Sequence, residues 1–394
     1  MKKVVIGLIG SGFAARLHCE AYQYVHGVQV WIKAVASTSK DVNEFAREFN
    51  IPDVYTDYRQ LLADPEIDVV DIVLPPVMHK PCILDAIAAK KHIICEKPLT
   101  GYFGLEEDQT PVGLHVSRQK MLNYVKHDLE EMRDAIESSG LLFMYAENWI
   151  YAPSIQKSVE FLKEKKIKQL FIKAEESHSG SHAIHAPYWS KNGGGSLIRQ
   201  GSHPLSTVLY LKKVEAMARN ESIDVISVMA DTADISSGLS EEDRKYLNSR
   251  PVDVEDWACT TISFSDGTKS VIFSGDMVLG GVKNYVEIYG SNGVIINNIS
   301  PNNTLETYFP DEKDLEGVYI TEKVQNKSGW QKIFLAEIFA RGYVGELQDF
   351  MECVLTGRQP ISDYWLASVT TELIYASYLS AFENRKVSLG LKLY

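Results

Sequence analysis

The sequence predicts an α/β protein in which an N-terminal doubly wound parallel sheet is followed by a C-terminal α/β domain with a large, mainly antiparallel open sheet. Three observations carry this. From residue 3 onward short β-rich runs alternate with helical stretches, the order that a parallel sheet with crossover helices requires. The early runs are nearly all apolar, as expected where both faces of a sheet are covered. Beyond about residue 150, β-branched and aromatic residues alternate with polar ones, which suits antiparallel strands with one face covered.

In chain order, VVIGLIG is a strand, a helix runs near Arg16 to His26, VWIKAVAS is a strand and a helix passes through Asp41 to Phe49. VVDIVLPP (69–76) follows YRQLLADPEI, and HIICEKP (92–98) follows a helix through Ala89. The alternation pauses in GYFGLEEDQTPVGLHVSRQ, a lid-like insertion at about 101–120. It resumes in a helix from about Met121 to Ser138 and a strand LLFMYAENW (141–149). Further strands are expected at 169–176, 223–230, 257–265, 269–277 and 283–289, with a polar surface excursion over 231–253. Helical periodicity returns over roughly 334–385 in YVGELQDFMECVL and WLASVTTELIYASYLSAF. A chain of 394 residues is long for one hydrophobic core. The expected division is 1–145 for the parallel-sheet domain and 146–394 for a substrate-binding and oligomerisation domain. There is no repeat and no low-complexity tract.

Composition excludes several classes. With 45% apolar and 23% charged residues the chain is an ordinary globular protein, and no segment approaches the roughly 20 apolar residues of a membrane span. The start MKKVVIGLIGSG has too short an apolar run, and no small-residue cleavage site, for a secretory signal. A soluble, cytoplasmic protein without a membrane partner is expected. A net charge of −12 argues against a nucleic-acid partner, because non-specific binding rests on Lys and Arg neutralising phosphates. The five cysteines are scattered and out of metal-ligand spacing, so buried free thiols are expected.

Gly10-Ser11-Gly12-Phe13-Ala14-Ala15 follows the first strand at once and opens a helix. Glycines there allow a tight turn and close approach of the backbone to a pyrophosphate at the helix N-terminus, the fingerprint of a Rossmann dinucleotide site. Gly10, Gly12, Phe13 and Ala14 are the first cofactor candidates. The second strand ends in Ala36-Ser37-Thr38-Ser39-Lys40. It offers neither the acid that favours the ribose of NAD nor the arginine that favours the 2′-phosphate of NADP. Ser37 and Thr38 can serve either, so the cofactor is NAD or NADP.

Cys95-Glu96-Lys97-Pro98-Leu99, after Leu74-Pro75-Pro76-Val77-Met78-His79, resembles the family of glucose-fructose oxidoreductase, inositol dehydrogenase and MocA. The likeness runs nearly the whole chain. It includes Gly193-Gly194-Gly195 with Gly201-Ser202-His203, Val286-Glu287-Ile288-Tyr289-Gly290 with Gly293, and Asp349-Phe350, Gly357-Arg358 and Pro360. The resemblance implies reversible hydride exchange at a sugar or cyclitol carbon, with Lys97 and His203 as catalytic residues. Pro75, His79, Glu96 and Lys97 join the cofactor set. On the residues alone, Lys97 stands at the carboxyl end of a parallel strand, where doubly wound folds place ligands, and an ammonium there can stabilise a developing alkoxide. Where the family pattern has an Asp, four residues before the His, this chain has Arg199. A guanidinium offers a planar fork of donors to an anion, which points to a negatively charged substrate.

Arg199, Asn148, Tyr151, His178, His182 and Trp189 are the substrate candidates, with Trp189 as a stacking wall against a sugar face. His178, His182 and His185 lie within eight residues but not in metal spacing on a helix, so no metal is expected. The leading expectation is an NAD(P)-dependent oxidoreductase acting on a sugar, sugar acid or glycoside. The alternative is a redox-neutral glycosidase that oxidises, eliminates, hydrates and reduces an anionic glycoside such as a sulfoquinovoside or glucuronide. A third class is a cofactor-binding sensor without chemistry, against which Lys97 and His203 speak. The open sheet needs cover, so a homodimer or homotetramer is expected.

Overall fold

The computed structural model describes residues 2–300, 305–318, 320, 323–324 and 326–393. The N-terminal sheet contains β1 (Lys3–Ile9), β2 (Gln29–Ala36), β3 (Asp53–Tyr55), β4 (Val69–Ile72), β5 (His92–Glu96) and β6 (Phe143–Ala146). Its order is β3-β2-β1-β4-β5-β6 and every pairing is parallel. β1 is buried from Val4 to Ile9 because helices cover both faces of the sheet. Neighbours β2 and β4 flank β1 on opposite sides, so a crevice opens at the carboxyl ends between them, where doubly wound folds bind ligands. β3, three residues long, was too short to read from its pattern.

The second sheet contains β7 (Gln169–Ser177), β8 (Asp224–Ala233), β9 (Trp257–Phe264), β10 (Lys269–Gly275), β11 (Lys283–Gly290), β12 (Gly293–Asn298) and β15 (Val387–Lys392). Its order is β12-β11-β7-β10-β9-β8-β15, and only the β7–β10 pair is parallel. β13 (Leu305–Phe309) and β14 (Gly329–Ile333) form a separate two-stranded ribbon. Helices Pro153–Lys165, Ser202–Arg219 and Tyr364–Glu383 pack on one face of the large sheet. The opposite face leaves Phe171, Met229, Tyr289, Val294 and Ile296 exposed, with Phe171 and Tyr289 stacked at 5.9 Å.

The helix Ser202–Arg219 begins beside the candidate site and is held from beneath by an ion pair shut away from water. Lys212 Nζ donates to Glu215 (2.7 Å), Asp266 (3.1 Å) and the Thr268 hydroxyl (3.0 Å). Removing one partner of such a group is costly because the other charge stays buried.

Two expectations change. The segment 101–120 is a clasp and not a lid. Tyr102, Val112 and Val116 are buried, the Trp189 indole donates to the Tyr102 carbonyl (3.0 Å), and Gly113 N–H donates to Asp253 (2.9 Å). Arg118 lies over the Trp189 ring at 4.2 Å and donates to the Gly113 carbonyl (2.8 Å). The polar stretch 231–253 begins as the end of β8, and its far end folds inward, burying Ser249 and Asp253. Its polarity serves backbone donors within the fold as well as water. Cys19, Cys82, Cys95 and Cys353 are buried free thiols, and Cys259 is half-buried. Among the described residues no helix is long and apolar enough to cross a membrane.

Candidate active site

Gly10 and Gly12 are glycines for different reasons. Gly10 has φ +119°, and a Cβ there would lie 2.6 Å from the Val73 carbonyl oxygen, so the turn itself demands glycine. At Gly12, which opens the helix Phe13–Tyr22, a Cβ would meet nothing within 4 Å, and no side chain caps the helix. The fold does not need a glycine there. Open ground at an uncapped helix N-terminus suits a ligand that brings its own anionic oxygens, so the residues fit a dinucleotide pyrophosphate. Ser37 closes the far wall, its hydroxyl bonded to that of Ser11 (2.8 Å) and accepting Ser39 N–H (3.1 Å). Thr38 and Pro75 are exposed, as is Phe13 at 63%. Ala14, in the first turn, is half-buried.

The turn after β5 is pinned from three sides. The Lys97–Pro98 peptide is cis, and Glu96 accepts the Lys97 backbone N–H at 2.8 Å. His79 sits buried between this turn and the exit of β4, with Nδ1 2.9 Å from the Pro98 carbonyl and Nε2 2.8 Å from that of Leu74. Burial pushes its pKa down. With both ring nitrogens facing main-chain carbonyls, His79 positions the turn and has no nitrogen left for a cofactor.

Behind Glu96 lies a buried ionic cluster. His18, on the helix Phe13–Tyr22, has Nδ1 2.9 Å from Asp71 and Nε2 3.4 Å from Glu96 and 3.9 Å from Glu346. The Tyr22 hydroxyl also donates to Asp71 (3.0 Å). Burial alone would keep the imidazole neutral, but the charge and hydrogen bond of Asp71 and the nearby Glu96 hold its pKa well above the usual histidine value. Burial also works against the Glu96 carboxylate, yet the His18 imidazole 3.4 Å away and the charges of Lys97 and His203 hold its pKa below the usual value. Burial drives the Glu346 carboxyl well up, with Glu96, Glu147 and Asp71 adding to the effect.

In front of Glu96, Lys97 Nζ donates to the main-chain carbonyl of Arg199 (2.8 Å). Four residues on, His203 Nδ1–H donates to Glu147 Oε1 (2.7 Å), and its ring stacks on Trp149 at 5.4 Å and 6°. His203 Nε2 faces Glu176 across 3.9 Å. Burial pushes the Glu176 carboxyl up, opposed by the charges of His203, Lys97 and Arg341. Lys97, His203, Glu96, Glu147 and Glu176 therefore form one constellation at the carboxyl ends of β5, β6 and β7. Both Lys97 and His203 lie within electrostatic reach of Glu176 and of Glu96.

The remaining candidates divide. Arg199 turns its guanidinium to Asp276 (2.5 Å), which also accepts from Gln200 (2.6 Å), and Gln200 contacts His178 Nε2 at 2.7 Å. Its charge is balanced there. Trp189 is buried under Arg118 and Tyr378 and is core, so it is no stacking wall. Tyr151 is buried, donating to Asp349 (2.7 Å) and accepting Ser362 N–H (3.0 Å), so it packs the seam with helix Tyr343–Thr356. Asn148 donates to the Arg341 carbonyl (2.8 Å) and holds that segment near Glu176. His182 and His185 are exposed on the loop after β7. Away from the site, His127, Asp128 and Glu131 bring ligand atoms within 4.8 Å of one another, but Lys80 Nζ sits 2.6 and 2.7 Å from the two carboxylates. Glu147, Glu346, His18 and Arg341 escaped sequence reasoning. Glu147 was within reach of it, since it ends a parallel strand as Lys97 does.

The family model described as oxidoreductase family, NAD-binding Rossmann fold, matches residues 4–124, and that of the family's C-terminal alpha/beta domain matches residues 176–389. The chain belongs to the Gfo/Idh/MocA oxidoreductase family. Among its relatives, levoglucosan dehydrogenase of Pseudarthrobacter phenanthrenivorans is 27% identical over 340 residues, covering 80% of this chain and 79% of that protein. Myo-inositol 2-dehydrogenase of Thermotoga maritima is 21% identical, covering 98% of each. The fold is shared with GenD2 from gentamicin A biosynthesis, solved in complex with NAD (TM-score 0.78, 21% identity, 99% of this chain and 97% of that one). It is shared also with levoglucosan dehydrogenase in complex with NADH and levoglucosan (TM-score 0.74, 22% identity, 98% and 99%).

Two predictions follow from this geometry. Gly12→Asp supplies a good helix N-cap and should leave stability unchanged or raise it by roughly a few tenths of a kcal/mol. It fills the anion's place, so the rise in melting temperature that NAD gives the native protein should vanish. An undiminished NAD-induced rise would refute the pyrophosphate assignment. His18→Gln should cost about 3–5 kcal/mol in chemical denaturation near pH 6, because the buried Asp71 and Glu96 lose their countercharge. Since the folded-state pKa of His18 is raised, its stabilisation is complete below about 6.5 and is lost as pH rises through the folded value. The gap between native and variant should therefore narrow toward alkaline pH, and a gap that widens would contradict the charged assignment.

Proposed function

We propose that this chain is an NAD-dependent dehydrogenase exchanging hydride with a ring carbon of a sugar or polyol, with Lys97 and His203 as its catalytic residues. The observation that supports it best is the meeting of the Lys97 ammonium and the His203–Glu147 pair at the carboxyl ends of the parallel strands, the side of the sheet that also carries the turn with Gly10 and Gly12. The names of the levoglucosan and inositol dehydrogenases support a polyhydroxylated ring as substrate.

In this reading the main chain at Gly10, Gly12, Phe13 and Ala14 holds the pyrophosphate, and Ser37 and Thr38 meet the ribose. NAD, when bound, supplies the carbon that accepts hydride. Lys97 holds the substrate hydroxyl oxygen and stabilises the negative charge that grows on it as the C–H bond breaks. His203 gives its Nδ1–H to Glu147, which leaves Nε2 as a lone pair to take the hydroxyl proton. Glu147 and Glu176 then face the resulting imidazolium. Hydride, proton and carbonyl product balance, and the reverse reaction uses the same groups. The expectation of an anionic substrate, and with it the glycosidase route, rested on Arg199 and the segment 101–120. Asp276 balances the first and the core fastens the second, so we favour net dehydrogenation of an uncharged ring.

Lys97→Met should lower kcat by on the order of 10²–10⁴ with any sugar the native protein oxidises, read as NADH absorbance, while NAD binding persists. Turnover at the native rate would remove Lys97 from the mechanism. We propose further that the chain forms a homo-oligomer through the exposed sheet face carrying Phe171, Met229, Tyr289, Val294 and Ile296. Native protein should sediment as a dimer or larger and Ile296→Asp as a smaller species. A native monomer at micromolar concentration would overturn this.

A further inference from the structure

Glu176 is the next-to-last residue of β7, paired in register with Ser274 of β10 and Asn284 of β11. Its Oε2 is buried and has no hydrogen-bond partner among the described residues, although the side chain as a whole is 13% exposed. His203 Nε2 stands 3.9 Å away, beyond hydrogen-bond length. The groups facing this carboxylate are His203, Lys97, Arg341 and Glu147. Each has a partner elsewhere. His203 donates to Glu147, Lys97 to the Arg199 carbonyl, and Arg341 pairs with Glu337 at 2.8 Å. A buried acceptor left without a donor is unfavourable, and a ligand that brings the donor removes the penalty.

The 3.9 Å gap also has a size. A hydroxyl oxygen within hydrogen-bond reach of His203 Nε2 puts the substituent on the adjoining ring carbon within reach of Glu176, since vicinal oxygens are themselves about a hydrogen-bond length apart. We infer that Glu176 is a substrate-binding residue that accepts a hydrogen bond from the hydroxyl or ammonium next to the reacting carbon, selecting neutral polyols and amino sugars over sugar acids. The inference rests on the dehydrogenase reading above. A substrate carboxylate at that position would lie against two protein carboxylates, Glu176 and Glu147, while the cations that face them, His203, Lys97 and Arg341, already hold other partners and the Arg199 guanidinium is held by Asp276. A hydroxyl or ammonium there meets an acceptor in need of a donor.

The test is steady-state NADH formation by the full chain with NAD and a panel of myo-inositol, levoglucosan, glucose, glucosamine and glucuronate. The native protein should give a kcat/KM for glucuronate at least tenfold below that for glucose or glucosamine. Glu176→Gln keeps shape and loses charge. It should raise KM for the neutral and amino sugars at least tenfold with a much smaller fall in kcat, narrow the gap to glucuronate, and leave NAD affinity unchanged. Glu176→Asp, which keeps the charge, should fall between the two. Native turnover combined with an unchanged KM and an unchanged preference in Glu176→Gln would overturn the assignment of Glu176 alone, as would a native preference for glucuronate. NAD binding with no NADH from any sugar would overturn the dehydrogenase reading and this inference together.

Discussion

The buried imidazole of His18, whose pKa the nearby Asp71 and Glu96 hold above the usual histidine value against the pull of burial, ties the two halves of this protein to one electrostatic solution. It belongs to the helix that begins at Gly12, and its two nitrogens face Asp71 on β4, Glu96 at the end of β5 and Glu346 on a helix of the C-terminal half. Carboxylates this close together and this deep cannot all keep their charge without a cation among them. The pKa of Glu96 is held down in part because His18 lies behind it, and Glu96 in turn holds the backbone of Lys97. Glu346, without a direct bond, takes up the strain as a carboxyl whose proton is hard to remove. The cofactor helix, the turn after β5 and the C-terminal half thus share one balance of charge, and the position of Lys97 depends on it.

The parallel sheet was legible because its signals are local. Each strand is a short apolar run, each crossover helix has a periodic face, and the turn at Gly10 shows its steric requirement in sequence. The helix Ser202–Arg219 had no such signal. Most of its residues are buried on all sides, so the periodicity that betrays a surface helix is absent, and Lys212 in its middle reads as solvent-facing until Glu215 and Asp266 are seen around it. The segment 101–120 misled for the opposite reason. Glycine, proline and acidic residues there have the composition of a free loop, yet Tyr102 and Val112 anchor it and its glycines admit close backbone contacts.

The site was legible where a motif named a backbone geometry and illegible where it depended on partners distant in sequence. Lys97 stands where a strand-end residue should stand. Arg199, Trp189 and Tyr151 stand out by their side chains and His79 by its motif, and in each case a partner elsewhere in the chain decides what the side chain does: Asp276, Tyr102, Asp349 and the Pro98 carbonyl. Glu147 illustrates the reverse case. Its place at the end of a strand is its only local mark, but 56 positions later an imidazole needs an acceptor, and the fold brings the two together.

The bond from the Lys97 ammonium ends on the carbonyl of residue 199 and not on its side chain. Peptide oxygens are present whatever the codon, so replacement at this position leaves the anchor of the lysine in place. An aspartate, as the family pattern has it, or the arginine found here can occupy position 199 without displacing the ammonium. Evolution is thereby free to rewrite the chemistry displayed around the lysine while the lysine itself stays moored, a separation of scaffold from ornament at a single residue.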